Sequence, residues 1–575
     1  MASTETGRGT TAAPKHPWLK SYPKDVKWNM AVDAAPLYTL MDEAAAENPD
    51  RSCTNFLGAT RTYGEIGEMV DRAAAGLQAL GVIKGTKVGL LLPNSPTFVV
   101  YYFAILKAGG VVVNYNPLYT LEELAFQVKD SETELMVTLD LKILFDKVEQ
   151  LLDTEALKGA VVCSFAGLLP PTKAVLFKLF KAKELASPRT SPVRKLIRLE
   201  AEMVQDPATF TPPPIDPLTD IAVLQYTGGT TGTPKGAMLT HANVYINVQQ
   251  ISAWASGLIY GQEKVMAALP FFHVFAMTVV LNLGVKIAAE LIIMPRFVLQ
   301  DALDLIARHR PTMMPGVPTL YNAFLNHPKI KSYDLTSLKY CISGGAALPI
   351  EIKERFEAAT RCHLVEGYGL SETSPVVTCN PFGGPVKSGS IGLPLPLTVV
   401  SLRDLTDPSR EVPRGERGEL CVSGPQVMQG YWNRPKETQD QFQGEFVRTG
   451  DVGVMDEDGF FFIVDRIKDL IICSGYNVYP RRIEEALYEH EAVEEVIVIG
   501  VNDPYRGEAP KAFVKLKEGH DTTAAVLLKH LEAKLSKLEI PAAIEFRDTL
   551  PRTMIGKLSK KELKEEEAAK PKAGA

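Results

Sequence analysis

Between Tyr63 and Val128 the apolar residues switch repeatedly from a helical to an extended rhythm, and this alternation limits the architectures open to the chain. Ile66, Met69, Val70, Ala73, Leu77 and Leu80 recur at the spacing of one helix face, and Gly81 follows as a stop signal. Lys87–Leu92 then reads as an apolar strand, Pro96–Lys107 as a helix, Gly110–Tyr115 as a strand and Leu121–Val128 as a helix. Strands separated by helices return to a sheet in the same direction, so the expected fold is α/β, with a largely parallel sheet covered by helices on both faces. The 575 residues exceed the roughly 250–300 at which a single core stops growing, so a second folding unit is required. After Arg466 the elements shorten: Pro480–His490 and Thr522–Leu535 read as helices, and Val493–Ile499 and Lys511–Leu516 as strands. The expected organisation is a disordered stretch over 1–15, a large N-terminal domain of layered sheets and helices over 16–467, and a small mobile α+β domain over 468–575. Its Lys-, Glu- and Ala-rich tail, Glu565–Ala575, is expected to fray.

Composition removes several classes of function. Apolar residues make up 46% and charged residues 23%, the balance of a soluble globular protein, and a formal charge of −6 disfavours nucleic acid as a partner. Seven cysteines, an odd number without a C-x-x-C pair, suit a reducing compartment better than a disulfide framework. The polar, Thr- and Gly-rich N-terminus lacks the apolar core of a secretory signal, so a cytoplasmic location is expected. The apolar run Met277–Met294 contains Asn282, Lys286 and Glu290, each expensive in a bilayer centre, and reads as buried helix and strand.

Between Leu169 and Arg198 the pattern breaks: Lys173, Lys178, Lys181, Lys183, Arg189, Arg194, Lys195 and Arg198 face one acid, Glu184, with Val175, Leu176, Phe177, Leu179 and Phe180 interleaved. Two readings stay open for it, a peripheral contact with an anionic membrane surface and a solvated insertion. Pro212–Pro214 and Pro217 then mark a linker.

The densest chemical signal follows the apolar strand Ile221–Leu224. The segment 226–236, Tyr-Thr-Gly-Gly-Thr-Thr-Gly-Thr-Pro-Lys-Gly, holds four glycines and four threonines within eleven residues. Glycines let backbone N–H groups approach a polyphosphate, hydroxyls add donors or a metal ligand, and Lys235 adds a point charge. A P-loop needs Gly-Lys-Ser/Thr, but here Pro234 precedes the lysine and Gly236 follows it. A Rossmann fingerprint fails because Glu372 stands where a third glycine is required after Gly367 and Gly369, and neither G-x-S-x-G nor H-E-x-x-H occurs.

This loop closely resembles the signature loop of the adenylate-forming superfamily, which comprises acyl-CoA synthetases, luciferase and peptide-synthetase adenylation domains. Gly344-Gly345-Ala346, Gly367-Tyr-Gly-Leu-Ser-Glu-Thr373, Thr449-Gly-Asp451, Asp465-Arg-Ile-Lys-Asp469 and Pro551-Arg-Thr-Met-Ile-Gly-Lys557 resemble the superfamily's later motifs in the same order. The resemblance implies ATP, Mg2+ and coenzyme A as cofactors and cosubstrates. It assigns Thr227, Gly228, Gly229, Thr230, Thr231, Gly232 and Lys235 to the phosphates, and Thr227 and Glu372 to magnesium, for which a hydroxyl and a carboxylate are suitable hard ligands. Glu366, Gly367, Tyr368 and Gly369 join the nucleotide set; Tyr368 stacks on adenine, and Gly345 and Ala346 line the purine. Asp451 and Arg466 match the ribose contacts, and Lys557 matches the catalytic lysine between the carboxylate and the α-phosphate. Lys468 matches a domain hinge, and Gly475 a position lining the pantetheine tunnel.

Phe271-Phe-His-Val-Phe275 resembles the acyl-tunnel wall of fatty acyl members, which places Phe272, His273, Phe275, Val317 and Gly344 in an apolar acyl pocket. The segments 365–372 and 474–480 look most like bacterial long-chain fatty acid–CoA ligases, with dicarboxylate–CoA ligases as near relatives. Fatty acid and CoA are thus the expected substrates, and a homodimer is a further expectation. A medium-chain or dicarboxylate ligase, an acyl-AMP ligase loading a carrier protein, and a non-catalytic lipid-binding relative are the alternatives.

Overall fold

The computed structural model describes residues 16–203, 207–227, 234–474, 476–503, 505–553 and 556–570; the expectations for 1–15 and for 571–575 lie outside them. Two large sheets, both mainly parallel, carry the N-terminal domain. One has seven strands, ordered Ile197–Leu199, Gly159–Cys163, Leu135–Leu139, Lys87–Leu91, Val111–Asn114, Ile221–Thr227 and Lys235–Thr240, and all pairings but the last are parallel. The other has nine, with Tyr340–Ser343 between Met313–Gly316 and His363–Gly369 near its middle. The alternation between Tyr63 and Val128 supplies strands of the first sheet and the helices that cover it.

Local signals explain the helix boundaries. In Tyr63–Ala79 the Thr62 side chain accepts from the Glu65 N–H while the Glu65 carboxylate accepts from the Thr62 N–H, so two orphan donors are satisfied reciprocally. Ser95 caps Pro96–Lys107, with proline at the first helical position where its missing N–H costs nothing. Every residue of that helix is buried, as expected of a helix sandwiched between layers.

The run Met277–Met294 is indeed buried helix and strand. Helical backbone extends from Val274 to Lys286, widened to a π-turn over Met277–Asn282, and Glu290–Ile293 joins the nine-stranded sheet. Asn282 is tolerated there because its amide donates to the Met277 carbonyl at 2.8 Å and the Tyr102 hydroxyl at 3.0 Å. Among the described residues no helix is long and apolar enough to cross a membrane. All seven cysteines are buried free thiols.

Three regions depart from the sequence expectations. An antiparallel five-stranded sheet, including Gly418–Ser423, Phe446–Met455 and Phe461–Arg466, forms a third layer that the sequence pattern did not announce. The break at 169–198 is no simple insertion: Pro171–Phe180 is helical, and Ile197–Leu199 is the edge strand of the seven-stranded sheet. The tail expected to fray from Glu565 continues as the helix Lys561–Ala569, fastened by Lys511 to Glu567 at 2.8 Å and Arg547 to Glu566 at 2.9 Å.

The small C-terminal domain has its own sheet, in which the Val493–Asp503 and Gly507–Leu516 strands pair over their full lengths. Its apolar residues, Ile471 to Leu563, form cores separate from the one that unites Trp18 with Phe461. Polar contacts join the two domains: the Thr319 hydroxyl donates to the Gly556 carbonyl at 2.7 Å, Arg417 lies 4.5 Å from the Tyr479 ring, and Lys517 is 3.5 Å from Glu351.

The Thr62 cap yields a stability test. Thr62→Ala should lower the stability of the large domain by about 1 kcal/mol, while Thr62→Asp should retain most of it. Denaturant titrations of the variants check this, and an unchanged midpoint for Thr62→Ala would contradict the capping account.

Candidate active site

The chemistry-bearing residues converge on the carboxyl edges of the parallel strands, the position at which open α/β sheets bind ligands. Gly344 and Gly345 directly follow Tyr340–Ser343, Val317 follows Met313–Gly316, and Glu366 to Gly369 end the His363–Gly369 strand. At the end of that strand only glycine fits: a Cβ on Gly369 would collide with the Pro375 carbonyl.

The Gly/Thr-rich segment is the tip of a hairpin. Thr227 ends one strand and pairs with Lys235 at the start of the next. Gly228, Gly229, Thr230, Thr231 and Gly232 lie outside the described residues. The segment 428–432 fastens to the hairpin's outer strand through Met238 N–H to the Gly430 carbonyl at 2.9 Å and Trp432 N–H to the Gly236 carbonyl at 2.8 Å. It thereby positions Tyr431, which sequence reasoning missed. The Tyr431 hydroxyl donates to Glu372 Oε1 at 2.6 Å, and the Lys235 ammonium sits 4.9 Å from the Tyr431 ring. Glu372 is buried, and the short Ser371–Thr373 turn that carries it packs against the hairpin. A carboxylate, a hydroxyl and an ammonium are therefore gathered around the hairpin, and the first two are the donor types a hard divalent cation takes.

A second cluster is built by the antiparallel layer. Asp451 and Arg466 face each other across paired strands, and Arg466 Nε donates to Asp451 Oδ1 at 2.8 Å. The Tyr368 hydroxyl donates to Asp451 Oδ2 at 2.6 Å. A carboxylate has about four lone-pair sites, so Asp451 keeps acceptor capacity for two further hydroxyls. This bond anchors the Tyr368 ring at its hydroxyl end. Glu366 is buried behind it, accepts from the Leu348 N–H at 3.2 Å, and is pushed by burial up to about 7 despite the opposing pull of Arg481.

Lys557 reaches this edge from the C-terminal domain. Gly345, at φ +79°, makes room for it: a Cβ there would lie 2.6 Å from the lysine nitrogen. Burial, and next the like charge of Arg466, lower Lys557 to about 8, with Asp451 acting in the other direction. On the opposite side stands the apolar wall. A Cβ on Gly344 would come within 3.1 Å of the Phe275 ring, Val317 is buried, and the Phe272 carbonyl accepts from Gln225 at 3.1 Å. His273 accepts from the Phe275 N–H at 3.3 Å; burial, and after it Lys557, lower it to about 3, so it is neutral. Ala346 is exposed beside Gly345. Lys468 lies apart, in a cleft of about 380 Å³ that also takes in Thr449, Gly450 and Arg466, and Gly475 is outside the described residues.

Lys560 belongs to a run of lysines with Lys557, Lys561 and Lys564. In the structure its ammonium is 3.0 Å from Glu484, and Lys564 is 2.6 Å from Asp469. Burial works against the charge of Lys560, but Glu484, Asp465 and Asp469 together raise it above the ordinary lysine range. Asp465 itself accepts from the Arg481 N–H at 3.0 Å, which links the last strand of the large domain to a helix of the small one. The two acids of Asp465-Arg-Ile-Lys-Asp469, four residues apart, were the signal that cations would be drawn there.

Known proteins resemble this chain over nearly its whole length. A family described as AMP-binding enzyme matches residues 41–432, and its C-terminal domain counterpart matches residues 482–557. The chain is 43% identical to a long-chain-fatty-acid–CoA ligase of Bacillus subtilis over 96% of this chain and 98% of that protein. It is 37% identical to a protein of the same name from Escherichia coli, over 97% and 99%. Among solved structures, ATP-bound MatB from Rhodopseudomonas palustris matches with a TM-score of 0.77 at 30% identity, covering 92% of this chain and 98% of that one. With matches of this extent across both domains, the chain belongs to the AMP-binding enzyme family.

Proposed function

We propose that this protein is an ATP-dependent long-chain fatty acid–CoA ligase that works through an acyl-adenylate. The observation that carries the reading is the insertion of Lys557 against Gly345, between the Asp451–Arg466 cluster and the neutral apolar wall of Phe275, His273 and Val317. The naming of the full-length relatives from Bacillus subtilis and Escherichia coli supports the substrate class. The wall residues Phe272, Phe275, Val317 and Gly344 carry no charge and His273 is neutral, which favours a monocarboxylic chain over a dicarboxylic one.

In the first step a carboxylate oxygen attacks the α-phosphorus of ATP and pyrophosphate leaves. Two anions about 4 Å apart repel by about 4 kcal/mol at a protein-like dielectric, so the step needs fixed positive charge. Lys557 supplies it at the junction of acid and phosphate, and Lys235 with the glycine-rich loop of residues 228–232 receives the departing phosphates. The Thr227 hydroxyl and the Glu372 carboxylate would hold a magnesium ion, which would supply further positive charge toward the phosphates. Tyr368, Gly345, Ala346 and Glu366 shape the adenine site, and Asp451 and Arg466 hold the ribose. In the second step the CoA thiolate attacks the acyl carbon and AMP leaves. The thiol needs the volume that Lys557 occupies, so the C-terminal domain pivots at Lys468 and brings Gly475 to the pantetheine. The reaction draws on ATP and CoA and is assigned to the cytoplasm.

Pyrophosphate should be released from ATP with magnesium and palmitate, and palmitoyl-CoA should form on adding CoA. Lys557→Ala should lose adenylation by several orders of magnitude while still converting synthetic palmitoyl-AMP to palmitoyl-CoA; equal loss of both half-reactions in a folded variant would refute the alternation of domains.

Lys557 carries its charge below about 8 and loses it above, so kcat/KM for pyrophosphate release should fall as pH rises through about 8. Because Arg466 lowers this group and Asp451 raises it, Arg466→Gln should move the inflection upward and Asp451→Asn downward. Pre-steady-state pH profiles of the three proteins check the signs.

A further inference from the structure

The helix Pro171–Phe180 is an exposed apolar element that the ligase chemistry does not use. None of its residues is fully buried. Its contacts with the body of the protein include Phe177 packed on Phe165 with ring centroids 5.0 Å apart and the Lys173 ammonium donating to the Leu57 carbonyl at 2.6 Å. The remaining large apolar side chains face water, with Val175 exposed by 57%, Leu176 by 53%, Leu179 by 70% and Phe180 by 78%. At about 100° per residue these four fall in one stripe about 140° wide, and Phe177 points to its flank. Leu57, in the turn that Lys173 grips, adds a further exposed apolar side chain. Isolated exposed leucines are ordinary on protein surfaces; a contiguous stripe of this kind marks an interaction site.

Charge indicates what covers it. Residues 169–198 contain eight lysines and arginines against one acid, a formal +7 in a chain whose whole carries −6. Some of these cations are engaged locally, as in Lys181 with Glu184 at 2.6 Å, Arg194 with Glu202 at 2.6 Å and Lys173 with the Leu57 carbonyl at 2.6 Å, while Lys178 is exposed on the helix itself and Lys183 is exposed just beyond its end. Exposed apolar side chains with exposed lysines on and just beyond the same short helix fit a boundary that is apolar inside and anionic at its surface.

We propose that the Pro171–Phe180 helix docks this protein on an anionic lipid bilayer, with Val175, Leu176, Leu179 and Phe180 entering the headgroup–acyl boundary and the cations of 169–198 facing lipid phosphates. The inference rests on the helix and its charge, and it stands apart from the ligase reading. It gives a water-insoluble acid a short route from the bilayer to the enzyme.

The test is co-sedimentation of the full-length protein with phosphatidylcholine vesicles and with vesicles in which phosphatidylglycerol replaces about a third of the lipid. The wild type should bind the anionic vesicles, bind the neutral ones on the order of tenfold more weakly, and be released by high salt. Leu179→Asp/Phe180→Asp should lose binding to both, and Lys178→Glu/Lys183→Glu should lose on the order of tenfold on anionic vesicles alone. Both variants should retain the thermal midpoint of the wild type and its release of pyrophosphate with a short, water-soluble acid, because the substituted side chains are exposed. Failure of the wild type to sediment with anionic vesicles overturns the proposal, as does unchanged binding by the folded Leu179→Asp/Phe180→Asp protein. A wild-type dimer in solution that the same double substitution dissociates would assign the stripe to self-association and also overturn it.

Discussion

A partly desolvated positive charge, brought by one domain to the sheet edge of another, is the constraint on which the rest of this structure depends. Lys557 belongs to the C-terminal domain but sits beside Gly345, which follows a strand of the nine-stranded sheet. Burial and Arg466 both work against its charge, so the position is tolerable only with compensation, and Asp451 supplies it. Asp451 is itself fixed by Arg466 and Tyr368, so one carboxylate balances two cations and anchors the ring beside them. Gly345 leaves open the space that the lysine enters and holds φ +79°, a conformation that favours glycine. These neighbouring residues thus fit the need to hold one cation in a partly desolvated junction.

Magnitudes explain how such a junction can also be opened. The inter-domain contacts include a cation–π pair between Arg417 and Tyr479, a hydrogen bond from Thr319 to Gly556, and the partly exposed ion pair of Lys517 and Glu351. Contacts of these kinds contribute about 1 kcal/mol each, or less for the ion pair. The C-terminal domain, by contrast, has its own apolar cores between Ile471 and Leu563. Separating the domains therefore disturbs an interface with modest polar contacts and leaves both cores intact. In the proposed reaction that difference lets Lys557 withdraw before the thiol arrives. The ionic cluster of Lys560, Glu484, Asp465 and Asp469 lies where the two domains join, and its dense pairing suits it to define the orientation from which the motion begins.

Features carried by a few neighbouring residues were legible in the sequence. The helix Pro96–Lys107 has the expected bounds because Ser95, Pro96 and an unbroken apolar run specify it locally. The mainly parallel sheets follow from strand–helix alternation, and the residues of the candidate site from motifs whose order is itself information. What was not legible depends on partners distant in the sequence. Ile197–Leu199 is too short to announce a strand and exists because Ala160–Val162 lies beside it. The antiparallel layer is built from strands separated by irregular chain, so no single period reveals it. Tyr431 lies 59 residues from Glu372, and nothing around either residue announces their hydrogen bond. The acids that engage Lys560 arrive from other elements, and the terminal helix was read as fraying because its partners Lys511 and Arg547 lie well upstream in the sequence.

The polarity of the site also depends on a group that stays uncharged. His273 lies at the junction of the apolar wall and Lys557, and a protonated imidazole there would lose its hydration and face a like charge. Both penalties act in the same direction, which is why it is lowered to about 3 and remains neutral throughout the range in which Lys557 is charged. Its Nδ1 is occupied as an acceptor from the Phe275 N–H, so the ring serves the turn that presents the aromatic wall. Between about 3 and about 8 the junction therefore combines a charged lysine with a neutral wall, which is the asymmetry an amphiphilic acid presents: an anionic head for Lys557 and an apolar chain for Phe275 and Val317. A basic residue in place of the neutral histidine would turn the same wall into a second anion site, and the distinction between head and tail would be lost.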